Sequence, residues 1–159
     1  MEAEFTLIAP IELNFLVFMK KIYDKSWYSE LSNEYFHSEF DEKLALLWNK
    51  RVDSIMENGK YIMNQSIIRE DVKELVDQKI VDSVINQFMN LWNNLPPNGF
   101  GSLMERTCGT LIVEQLKKLS RTHSTTIMII FDIMSEKYKK EDIESNYEII
   151  PFKKFFVYI

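Results

Sequence analysis

The sequence predicts an all-α protein, a single-domain bundle of five to six helices with short extended segments at the N- and C-termini. Three observations carry this expectation. Gly and Pro number four each in 159 residues, too few for the tight turns that barrels and sandwiches require. Long stretches repeat apolar residues at helical spacing. A composition 46% hydrophobic and 27% charged suits one water-soluble domain and excludes disorder or a disulfide scaffold.

Phe5 to Ala9 reads as a short strand or an extended arm. The first helix runs from about Pro10 to Asp24, since proline is tolerated where a helix begins. Leu13, Phe15, Leu16, Val17, Phe18, Met19 and Ile22 leave it almost no polar face, which marks a central helix. Residues 26–37 read as a short helix or an aromatic-rich loop. Ser38 and Asp41 resemble a capping pair ahead of a helix carrying Phe40, Leu44, Leu47, Trp48, Val52, Ile55 and Met56, and Gly59 suits its end. Residues 60–68 form a connector with some helix. A long periodic run from Val72 to Leu95 follows, with a break expected near Asp77 to Lys79.

Pro96-Pro97-Asn98-Gly99-Phe100-Gly101 ends helical geometry and separates two helical halves of one domain, residues 1–159. Ser102 to Glu105 is a capping box that opens another helix. Ile127 to Phe131 is short and rich in β-branched residues, as a strand would be. Ile133, Met134 and Tyr138 extend it at helical spacing, so a buried helix is expected. The apolar tail from Ile149 to Ile159 is expected to dock on the core as an extended segment.

Several chemistries are unsupported. The single Cys108 can form neither an intramolecular disulfide nor a multi-thiolate zinc site, and His37 and His123 stand 86 positions apart without a ligand pattern. A thiol–imidazole pair of Cys108 with His123 has no local signature, and Cys108 reads as a small hydrophobe on a helix. The Pro/Gly loop lacks the Lys-Ser/Thr and the preceding strand of a phosphate cradle. Asp71, Glu74, Asp77 and Asp82 read mostly as a solvated helix face. No cofactor, metal or enzyme activity is expected. Glu2, Glu4 and Glu12 around the first apolar stretch do not suit a signal peptide, and no run is long enough to span a bilayer. A cytoplasmic location follows.

Charge is unevenly placed. Residues 1–42 hold nine acids and three bases, a net −6, whereas the remaining 117 residues net +1. A nucleic-acid surface would have the opposite sign. From Asp24 to Glu42 aromatic rings alternate with acids. Trp27, Tyr28 and Tyr35 are candidate anchors, and Glu30, Glu34, Glu39, Asp41 and Glu42 are candidate steering or salt-bridging groups for a basic protein partner. The competing reading places the rings in the core and the acids on a wet helix face.

In its size, acidity, scarcity of Cys and lack of a catalytic signature, the chain resembles the immunity proteins of bacterial contact-dependent growth inhibition and related toxin systems. Its preference for Lys over Arg, 15 to 4, suggests the AT-rich genes common in such cassettes. The resemblance is one of overall profile, and the class has no shared motif, so no residue roles carry over. It implies a non-enzymatic protein that binds a cognate basic toxin domain, a ribonuclease for example, and presents carboxylates where phosphates would sit. The rival expectations are a helical adaptor that recognises a peptide or self-associates, and a cysteine-dependent hydrolase.

Overall fold

The computed structural model describes residues 5–24, 33–57, 65–94, 125–132 and 147–152. Strand β1 spans Phe5–Ile8, and helix α1 spans Ile11–Tyr23. A 3-10 turn at Asn33–Tyr35 precedes α2, Phe40–Glu57. Helix α3 covers Ser66–Leu75, and a second 3-10 turn at Gln78–Ile80 leads into α4, Val81–Asn94. Strands β2, Thr125–Ile130, and β3, Tyr147–Pro151, complete the set. Helix dominates, but the protein is not all-α.

The departure is a three-stranded parallel sheet in the order β1-β2-β3. Ile8 is opposite Met128, and Met128 in turn is opposite Ile149. The segment expected as a buried helix, residues 127–131, is therefore mostly a strand. Ile127, Met128, Ile129 and Ile130 are all buried. A central strand of a parallel sheet is covered on both faces, so it shows a continuous apolar run rather than alternation. Such a run has no period that separates strand from helix. The residues that favoured helix, Ile133, Met134 and Tyr138, lie outside the described segments.

The terminal expectations fared better, since Phe5–Ile8 is a strand and Tyr147–Pro151 brings the start of the tail onto the sheet. Among the described residues there are four α-helices, against five to six expected. The helix anticipated from Ser102 and the Pro/Gly loop at 96–101 fall outside them.

Helix α1 is buried along nearly its whole length, in keeping with its lack of a polar face. Phe15 meets Phe88 of α4 edge-on at 5.2 Å, Phe18 lies 5.4 Å from the same ring, and Phe88 stacks on Trp92. Pro10 caps α1 with its extended backbone, and its carbonyl accepts the Asn14 amide. Asn14 is itself fully buried. Its Nδ2 donates to the carbonyls of Pro10 and Ile129, and its Oδ1 accepts the Phe131 N–H. One side chain thus fastens the end of β2 to the first turns of α1.

The long run from Val72 divides where a break was expected. Helix α3 stops at Leu75, Val76 is extended, and the Asp77 carboxylate caps the next turn by accepting the Lys79 N–H at 2.8 Å. Ser38 does not occupy the capping position of α2. The helix begins at Phe40, and Glu39 precedes it at φ 62° with its carbonyl accepting the Lys43 N–H.

Candidate partner-binding edge

Segment 33–42 is held against the junction between α3 and α4. Phe36 and Val76 form an isolated antiparallel bridge. The His37 N–H donates to the Leu75 carbonyl at 2.9 Å, and the Asp77 N–H donates to the Tyr35 carbonyl at 2.8 Å. His37 Nδ1 donates to the Glu74 carbonyl at 3.0 Å. Phe36 and Phe40 turn inward and enclose Tyr23, which stacks on Phe40 at 4.1 Å and meets Phe36 edge-on at 5.3 Å. Apolar burial inside and a backbone ladder outside give this stretch a defined place.

The anticipated site residues divide accordingly. Glu34, Glu39 and Glu42 are exposed, while Tyr35 is half-buried and packs against the core. Asp41 instead turns to the protein's own cation: Lys20 Nζ lies 2.7 Å from it and 3.1 Å from Asp24. Burial pulls the Lys20 ammonium down, but hydrogen bonds and charge attraction from Asp41 and Asp24 outweigh this and hold it above its ordinary value. Lys20 lies in the last turn of α1 and Asp41 in the first turn of α2, so each also complements its helix dipole. Trp27, Tyr28 and Glu30 lie outside the described residues.

Two acidic residues that the sequence did not associate with this segment meet it through their backbones. Glu74 is exposed next to His37, and Asp77 is half-buried next to Tyr35. About forty positions of chain separate them from the segment, and the Phe36–Val76 bridge with the hydrogen bonds of His37 and Asp77 brings them together. Lys73 and Lys79 are exposed nearby in sequence, so the edge is acidic in balance rather than purely anionic.

Asp71 departs from the solvated face expected for it. It is buried against Arg51 of α2, which meets it at two points: Nε to Oδ2 at 2.9 Å and Nη2 to Oδ1 at 2.5 Å. Hydrogen bonding to Asp71 raises the Arg51 guanidinium further, so it stays protonated. Burial pushes the Asp71 carboxyl up more than Arg51 pulls it down. Glu12 of α1, also buried, adds to the negative potential around Arg51.

Cys108 and His123 lie outside the described residues. Among the described residues no three His, Cys, Asp or Glu side chains gather to hold a metal ion. No described helix is long and apolar enough to cross a membrane. An open depression of about 330 Å³ lies between α3 and α4, with Ile68, Ile85 and Met89 beside Gln65, Ser66 and Arg69. Arg69 is already engaged with Asp82 at 2.8 Å. Compared with known protein families, curated proteins and solved structures, the chain matches none.

Proposed function

We propose that this chain is a non-catalytic inhibitor, an immunity protein that neutralises a basic toxin domain, most naturally a nuclease, by stoichiometric binding. The observation that supports this best is the exposure of Glu34, Glu39 and Glu42 on a segment whose backbone is pinned to the end of α3 and whose Phe36 and Phe40 rings are packed inside. Carboxylates carried on a backbone already held in place cost less ordering on binding and steer a cationic partner. Tyr35, partly exposed, supplies a ring on the same segment. Asp41 joins it through its ion pair, shaping the edge from within while Lys20 offsets its charge.

The test is binding to a basic nuclease toxin domain captured with the full chain, measured at low and high salt. Reversal of Glu34, Glu39 and Glu42 to Lys should slow association about tenfold or more at low salt, with a smaller difference at high salt. Unchanged association at low salt would overturn the steering role. Salt-independent binding by the parent chain would instead favour an apolar groove and the adaptor reading.

A further inference from the structure

We infer that the Arg51–Asp71 pair is a register pin: it sets how α3 lies against α2 and so holds the edge formed by residues 35–37 and 74–77. Helices α2 and α3 are joined by polar contacts at two separate places. One is the bridge of Phe36, just ahead of α2, to Val76, just beyond α3. The other is the two-point contact of Arg51 with Asp71. Leu44, Leu47, Trp48 and Val52 of α2 and Val72 and Leu75 of α3 all belong to the buried apolar core. Apolar surfaces of similar side chains tolerate sliding and repacking. A planar guanidinium fork on a carboxylate does not, because both bonds demand one orientation.

Burial makes the alternatives costly. Asp71 and Arg51 are 2% and 6% exposed, and a shift of α3 by one turn would leave both charges in the core unpaired. Asp71 lies one position ahead of Val72, the residue that opens the last turn of α3, and that turn supplies the Glu74 and Leu75 carbonyls to His37. Fixing Asp71 therefore fixes the two carbonyls on which the edge hangs. The pair's main contribution is to uniqueness of arrangement, since apolar replacements of buried ion pairs are often as stable as the originals.

Native-state hydrogen exchange on the full chain tests this. Arg51→Lys keeps the charge and loses the fork. It should speed exchange of the His37 and Asp77 amides about tenfold or more while amides in the middle of α1 stay protected. The double variant R51M/D71L should melt near the parent temperature and show the same local loosening. Parental exchange at His37 and Asp77 in both variants would overturn the proposal. So would a uniform rise across all amides, or a double variant that does not fold, because the pair would then serve overall stability and not register.

Discussion

The side-chain oxygen of Asn14 accepts the backbone N–H of Phe131 at 2.9 Å, across 117 positions of chain. The same side chain donates to the carbonyl of Ile129, so it substitutes for a ladder partner where β2 ends. Burial makes this bond consequential, since neither Asn14 nor the end of β2 has water available to replace it.

Asn14→Leu should therefore cost about 2–4 kcal/mol in urea unfolding, because it strands the Phe131 N–H and the Ile129 carbonyl. Asn14→Asp should cost more, since it keeps the acceptor but sets a carboxylate against the carbonyls of Pro10 and Ile129. A loss under about 0.5 kcal/mol for the Leu variant would show that β2 is held by its strand partners alone.

Removing one member of the buried ion pair should be far more damaging than removing a surface pair. Asp71→Asn leaves Arg51 charged in the core and should cost about 3–5 kcal/mol. Asp82→Asn breaks the exposed contact with Arg69 and should change stability by less than about 1 kcal/mol. Equal denaturation midpoints for the two variants would contradict the burial of Asp71.

Lys20 predicts a stability change in alkali. Its folded-state value lies above the ordinary 10.5, so its contribution is fully present below about pH 10.5. It is lost as pH rises through the folded value. The midpoint difference between the parent and Lys20→Met should thus hold from pH 8 to 10 and shrink beyond 10.5. A difference that is flat across this range would remove the ion pairs to Asp24 and Asp41 as its cause.

Glu39 sits at φ 62°, where a side chain is a steric cost and glycine is not. Glu39→Gly should raise stability by about 0.5–1 kcal/mol. Glu39→Ala should not, because it keeps the Cβ. If the exposed carboxylate meets the partner, the glycine variant gains melting temperature while binding the toxin domain more weakly. A destabilised glycine variant would show that the positive φ at Glu39 carries no steric cost.

Parts of this architecture are legible along the chain. The all-round apolar pattern of α1 announces a central helix, and Asp77 with its neighbours announces the break between α3 and α4. Both features depend on residues a few positions apart. The acids at 34, 39 and 42 are equally visible, and their exposure follows from their positions relative to Phe36 and Phe40. Glu74 and Asp77 came beside that segment through contacts between distant stretches of chain, which leave no periodic trace.

What the sequence determines by itself is the set of helices with a marked apolar face, the punctuation between them and the concentration of negative charge near the N-terminus. Tertiary structure decided that Ile127–Ile130 is a strand, that Asp71 belongs to the core and that Asp41 is held by Lys20. The physical reason is the range of the forces involved. Helical hydrogen bonds and caps close within four residues, and their requirements are written locally. A parallel strand finds its partners far outside the reach of local bonds, as Thr125 does opposite Phe5 and Thr126 opposite Tyr147, and a carboxylate is solvated or paired according to what packs over it.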